Sequence, residues 1–159
     1  MALSSPVIAL LSIKPQYANA ILDGRKKVEF RKRVFARAVT HIVIYATAPI
    51  GRIVGWFKVG KTAEKSPAAL WRSFSKVGGI TAKDFNAYYK NAALGVAIGV
   101  SNPRRLPKPV AVSRVGATPP QSYAYLPPSA LARIVVPKLP AKAHAARRKT
   151  MRRVQRKRR

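Results

Sequence analysis

The sequence predicts an α+β protein, built on a small, mostly antiparallel β-sheet or barrel with inserted helices and followed by a disordered basic tail. Short apolar runs bounded by glycine and proline recur from residue 7 to about residue 126, and such runs are typical of strands. Helical patterns interrupt them without strict alternation, which favours an α+β fold. Beyond residue 126 the chain is rich in Pro, Ala, Lys and Arg and contains no acidic residue.

The first part of the domain combines several strands with one helix. Residues 7–13 form a continuous apolar run, as expected for a strand that is covered on both faces. Pro15 suits the first turn of a helix, and Gly24 stands where a left-handed C-terminal cap belongs. The strands predicted in this part cover residues 7–13, 28–33, 41–47 and 53–59.

The second part begins with two short helices. Ser66 is an N-cap with Pro67 at the first helical position, and this helix ends at a pair of glycines. Thr81, with Asp84 three residues later, resembles a capping box and starts the next helix. Residues 94–100 then alternate large apolar side chains with Gly and Ala. We expect a strand with one bare face, which a backbone or a ligand can approach closely.

These patterns divide the chain into a domain over residues 1–126 and a tail over residues 127–159. The tail has too few large apolar side chains to offset the entropy lost on ordering. We expect disorder there, with a helix forming between residues 141 and 159 on binding. The tail cations expected to contact phosphates are Arg147, Arg148, Lys149, Arg152, Arg153, Arg156, Lys157, Arg158 and Arg159.

The charge balance predicts a polyanionic partner. The chain has 32 Lys and Arg residues against 4 acidic residues, a formal net charge of +28, which is typical of nucleic-acid-binding proteins. A membrane partner would need an amphipathic basic helix or an apolar span, and neither pattern is present.

With no cysteine and two histidines, we expect no metal site and no cofactor. We expect the protein in the cytoplasm or nucleoid of a bacterium, or in the nucleus of a eukaryote.

The segment from Gly24 to Arg33 carries the candidate chemistry. Because side chains alternate along a strand, Glu29 and Arg31 project from one face, roughly 7 Å apart. Lys26 lies in the preceding turn and can fold over the same site. Neighbouring cations favour the ionised form of Glu29, so it is poorly suited to act as a general acid. It could act as a base or accept hydrogen bonds from an exocyclic amine such as cytosine N4. An ion-pair clamp that only neutralises the cations is the alternative.

Gly24, Lys26, Glu29 and Arg31 follow the spacing G-x-K-x-x-E-x-R. This pattern resembles the signature of the ASCH domain, a member of the PUA-like superfamily, and in particular a bacterial branch described as predicted transcriptional regulators. Further likeness covers residues 11–15, 44–51, 66–71 and 119–123. The resemblance implies a β-barrel with a cleft and a role in RNA recognition or RNA-linked regulation, so that RNA is favoured over DNA as the partner.

The resemblance also implies which residues line the cleft. Lys26, Glu29 and Arg31 come from the signature itself. Four polar residues in the other matching segments are added as candidates: Lys14, Thr47, Gln121 and Ser122.

Two functions remain open at this point. The leading one is RNA binding without catalysis; the alternative is a small hydrolase acting on RNA or on acylated cytidine. Some ASCH relatives deacylate modified cytidine with a Lys, a Thr and a Glu. Here Glu29 occupies the Thr position, and glycines stand near the place of the second Glu. A hydrolase would therefore need a second carboxylate beside Glu29.

Overall fold

The computed structural model describes residues 4–135. Its strands are β1 (Ile8–Ile13), β2 (Val28–Arg31), β3 (His41–Ala46), β4 (Arg52–Lys65), β5 (Gly95–Val110) and β6 (Tyr123–Leu126). Its helices are α1 (Pro15–Leu22), α2 (Pro67–Phe74), α3 (Ala82–Tyr88) and α4 (Ala130–Val135), with a 3₁₀ turn at Val112–Val115. The nine predicted phosphate-contacting cations and the helix predicted within residues 141–159 lie outside the described residues.

The strands form a single six-stranded sheet in the order β2-β5-β4-β3-β1-β6. Only β1 and β3 pair in parallel, and the other neighbours are antiparallel. The sheet curls into a half-barrel with β2 and β6 at its two edges. The prediction of a mostly antiparallel, barrel-like α+β fold is therefore confirmed.

Strand β1 is covered on both faces, as its continuous apolar run predicts. Leu11 and Ile13 pack on one face in a cluster with Ile21 of α1. Leu10 packs on the other face in a cluster with Ile134 of α4. Helices thus cover the sheet from both sides, and none of those between residues 4 and 135 is long and apolar enough to cross a bilayer.

Strand β5 has the expected bare face, and the protein's own atoms fill it. A Cβ atom at Gly99 would lie 2.6 Å from the backbone oxygen of Lys61 on β4. A Cβ atom at Gly95 would lie 2.4 Å from the ring of Tyr89. The small residues therefore allow β4 and the end of α3 to pack closely against β5.

The domain extends further than the sequence predicts. The predicted boundary at residue 126 and the predicted disorder from residue 127 are wrong for residues 127–135, because α4 packs against the sheet. Ala130 and Ile134 are buried in the same cluster as Leu126. These two residues are four apart and so share one helix face. The helix is too short to stand out from a proline-rich surrounding.

Candidate functional site

The turn after α1 and the edge strand β2 position the signature residues. Gly24 follows the end of α1 with a φ of +80°, a backbone conformation that favours glycine. The amide of Lys26 then donates to the backbone oxygen of Ala20, which holds the turn against the helix. Val28 and Phe30 pack into an apolar cluster that contains Phe85 of α3. The backbone is thereby anchored, so that Lys26, Glu29 and Arg31 meet in one place.

These side chains line a cavity of about 450 Å³ at the open side of the half-barrel, which we call the cleft. Its walls come from β1, α1, β2 and α3. Its charged or amide-bearing lining residues are Lys14, Gln16, Lys26, Glu29, Arg31 and Asp84.

Lys26 is almost completely buried, with 2% of its surface exposed. Its Nζ atom lies 4.0 Å from Oε2 of Glu29 and donates a 2.5 Å hydrogen bond to the backbone oxygen of Gly78. The same Nζ lies 5.2 Å from the ring centroid of Tyr17 and 5.0 Å from that of Phe30. Burial lowers the pKa of Lys26, and the neighbouring Glu29 charge opposes that shift.

Glu29 is buried as well, with 7% of its surface exposed, and it lies between two cations. Nη1 of Arg31 lies 3.8 Å from its Oε1 atom. Burial raises the pKa of Glu29, and the positive charges of Lys26 and Arg31 only partly offset this. Taken alone, the charges of Lys26 and Arg31 lower the pKa of Glu29, as predicted, but they do not set the direction of its shift. The cleft removes water from the carboxylate, and this desolvation outweighs the cations.

Arg31 connects the two ends of the half-barrel. Its Nη1 donates to the backbone oxygen of Ser12 on β1 at 3.5 Å. Its Nη2 donates to Oγ of Ser122, just before β6, at 2.5 Å. Side-chain contacts therefore bridge the gap between the edge strand β2 and the opposite edge of the sheet.

Of the four candidate residues added to the signature, the structure brings two to the cleft and leaves two outside it. Lys14 lines the cleft, and Ser122 reaches it through Arg31. Thr47 and Gln121 do not line the cleft. The amide of Thr47 donates to the backbone oxygen of Ile13, so Thr47 serves the end of the β1–β3 pairing. A matching chain segment predicts a position in the fold but leaves the direction of each side chain undetermined.

Three cleft residues escape the sequence analysis: Tyr17, Asp84 and Tyr88. The Tyr17 hydroxyl donates to Oδ2 of Asp84 at 3.3 Å, and burial together with the Asp84 charge raises the pKa of Tyr17. The Thr81 side chain accepts a hydrogen bond from the Asp84 amide, as its capping role predicts. The Asp84 carboxylate points into the cleft as its second acid. Asp84 is one of only four acidic residues in the chain, and this is the one sequence signal that singles it out.

Solved structures show the same architecture. The crystal structure of ASCH from Zymomonas mobilis superposes with a TM-score of 0.73 at 25% sequence identity, over 80% of this chain and 93% of that one. A variant of the same protein superposes with a TM-score of 0.75 at 22% identity, over 84% and 97% of the two chains.

Sequence comparison also leads to an ASCH protein of Zymomonas mobilis. A Zymomonas mobilis protein named "ASCH domain-containing ribonuclease" is 26% identical over 124 residues, which cover 74% of this chain and 83% of that protein. The ASCH domain family itself matches residues 11–104, which include all four signature positions. This chain belongs to the ASCH domain family.

Proposed function

We propose that the protein binds single-stranded RNA and receives one unstacked base in the cleft. The observation that carries this proposal is the Glu29 carboxylate, buried between Lys26 and Arg31 in the wall of an open cavity. A cavity of about 450 Å³ is within the size range that accommodates small organic ligands. Single-stranded RNA is the form in which a base can leave the stack and present its Watson–Crick edge.

The arrangement of donors and acceptors favours cytosine. Its exocyclic amine can donate to Glu29, as carboxylates accept from cytosine N4. Its ring nitrogen and carbonyl oxygen can accept from Lys26 and Arg31. Uracil has an oxygen at the place of the amine, and this oxygen would face the carboxylate without a proton between them. Tyr17 and Tyr88 line the same cavity and offer aromatic faces for stacking.

The net charge of the chain and its similarity to a protein named a ribonuclease both support RNA as the partner. A net charge of +28 provides the attraction to phosphates on which nonspecific binding depends. The curated relative is named a ribonuclease, and RNA is the polymer on which such an enzyme acts. Binding of this kind is also compatible with the regulatory role that the ASCH resemblance suggests.

Equilibrium binding of single-stranded oligocytidine and oligouridine of equal length tests the proposal. We expect the wild type to prefer oligocytidine by roughly 5- to 150-fold, corresponding to about 1–3 kcal/mol for a base-specific pair of contacts. Glu29→Ala should abolish that preference. Glu64→Ala removes the same charge from an exposed site on β4 outside the cleft and should retain it. Equal binding of both oligomers by the wild type, or an unchanged preference in a folded Glu29→Ala protein, would overturn the proposal.

RNA cleavage in the cleft is a second candidate, favoured by the presence of both Glu29 and Asp84 in its wall. A base would take the proton of a ribose 2′-hydroxyl, whose oxygen attacks the adjacent phosphorus. The bond to the 5′-oxygen then breaks, and an acid donates a proton to that oxygen. Glu29 suits the base because burial raises its pKa above the ordinary value of a carboxylate. Lys26 and Arg31 would stabilise the charge that develops on the phosphate.

Incubation of end-labelled single-stranded RNA with a chelator separates the two candidates. Binding alone predicts that the RNA stays intact. Cleavage predicts fragments that end in a 2′,3′-cyclic phosphate and that are lost in Glu29→Ala and Lys26→Ala. An RNA with methylated 2′-hydroxyls should resist, because it lacks the nucleophile. Fragments that persist in both variants would place any cleavage outside the cleft.

A further inference from the structure

A second cavity of about 760 Å³ shares no lining residue with the cleft, and we call it the basic groove. Arg37 and Lys58 line it, together with His41 and the ring of Phe35. No acidic residue is among its lining residues. The groove therefore offers positive charge without an internal counter-charge, which suits a phosphate-bearing ligand.

A single chain segment links the two cavities. Residues 32–40 connect β2 to β3, so they start beside Arg31 in the cleft and end beside His41 in the groove. Phe35 of this segment packs edge-on against Tyr123, with ring centroids 4.8 Å apart. Tyr123 directly follows Ser122, the hydrogen-bond partner of Arg31. The segment from residue 32 to 40 therefore contacts the beginning of β6 next to the place where Arg31 of the cleft contacts it.

Aromatic rings and a cation continue from there into the groove. The rings of Tyr123 and Tyr125 lie 5.5 Å apart, edge to face. The Arg37 guanidinium lies 5.0 Å from the Tyr125 ring centroid, and the Arg37 amide donates to the Tyr125 hydroxyl at 3.1 Å. Tyr123 is 37% exposed. Tyr125 is half-buried beneath Arg37, so the exposed Tyr123 ring offers a stacking face and Arg37 the adjacent positive charge. Aromatic rings combined with cations in this way bind the bases and backbone of a single strand.

We propose that the basic groove is a second nucleotide-binding site for the same single-stranded RNA. The strand would leave the cleft near Arg31, pass over Tyr123 and Tyr125, and place its phosphates against Arg37 and Lys58. This inference rests on the proposed RNA binding and adds the direction that the strand takes across the protein. Long oligomers then gain affinity that the cleft alone cannot provide.

Binding of the full-length chain to oligocytidines of increasing length tests this. The wild type should bind more tightly once an oligomer reaches from the cleft to the groove. Arg37→Ala/Lys58→Ala should remove most of that gain and reduce the salt dependence by about 1.4 log–log units, at roughly 0.7 per phosphate on a single strand. Short oligomers that fill only the cleft should bind the variant and the wild type equally, with the same preference for cytosine.

Arg72→Ala/Lys108→Ala is the matched control, because it removes the same two residue types from exposed sites outside both cavities. It should preserve the length-dependent gain. Lys58→Ala alone serves if the double variant does not fold, and it should show about half of the change in salt dependence, roughly 0.7 units. A gain that is absent in the wild type, or that survives in the groove variants as in the control, overturns the second site. Failure of the wild type to bind any RNA overturns the proposed function itself.

Discussion

At the scale of single residues, Lys26 is the contact point of three parts of the cleft. Its ammonium group meets Glu29 of β2, the Tyr17 ring of α1 and the Gly78 carbonyl after α2. A Cβ atom at Gly79 would lie 2.8 Å from the Cβ atom of Lys26. The prediction that the glycine pair ends α2 is wrong, because α2 ends earlier, at Phe74. The absence of a side chain at Gly79 instead allows the backbone to pack against Lys26.

The raised pKa of Glu29 predicts how stability responds to pH. The folded state holds the Glu29 proton more tightly than the unfolded state does, for which the pKa is near 4.5. The wild type should therefore lose stability, relative to Glu29→Gln, as the pH rises above about 4.5 toward the raised value. Urea unfolding of both proteins between acid and neutral pH measures this difference.

Glu64→Gln is the control for that measurement, since Glu64 is exposed on β4. It removes a carboxylate from an exposed site, so it shows what the loss of one acidic side chain outside the cleft does to the same measurement. A wild type that gains stability relative to Glu29→Gln over the same range would show that the cations outweigh burial.

The sequence could predict the positions of the cleft residues but not their burial. The two-residue period of a strand is local information, and it is sufficient to bring Glu29 and Arg31 to one side. Burial depends on Gly78 and on α3, which come about fifty residues later in the chain. The direction of the Glu29 pKa shift follows from its burial, which no pattern within residues 24–33 indicates.

At the scale of elements, α4 tests where the domain ends. Ile134→Ala should lower the free energy of unfolding by about 2–5 kcal/mol, because it leaves a cavity in the apolar cluster around β1 and β6. Val135→Ala, at the neighbouring position with 53% of its surface exposed, should change it by less than about 0.5 kcal/mol. Urea unfolding measures both. Equal small effects would mean that the stable domain ends before α4.

Helix starts were predictable from local chemistry, whereas the lengths of strands were not. Ser66 and Thr81 accept hydrogen bonds from the third residue after them, at 3.3 and 3.1 Å, as their N-cap roles require. Strand β5 runs for 16 residues and includes three prolines, which locally argue against a strand. Its pairing with β4 shifts register in three places, and these irregularities accommodate residues that a regular ladder would exclude.

At the scale of the whole molecule, the net charge predicts a strong dependence of binding on salt. We propose that the tail cations at residues 147–159 contact RNA phosphates. Deletion of residues 137–159 leaves α4 in place and should flatten the log–log salt dependence by about 3 to 5 units, if the tail neutralises roughly five or more phosphates. The preference for cytosine should survive, because phosphate contacts position a protein whereas base contacts specify its site.

Binding titrations of full-length and truncated protein at several salt concentrations check this. An unchanged slope would show that the tail does not contact RNA. A lost base preference would show that the tail takes part in recognition, contrary to the division of roles proposed for the two parts of the chain.

The central claim is that one RNA base occupies the cleft, and photocrosslinking tests it most directly. Full-length protein would be irradiated with single-stranded RNA that contains iodocytidine, and the modified residues would be located by mass spectrometry. Crosslinks at Tyr17 or Tyr88, lost in competition with unlabelled oligocytidine but not with oligouridine, are the predicted result. Crosslinks confined to residues outside the cleft, with Tyr17 and Tyr88 unmodified, would contradict the claim.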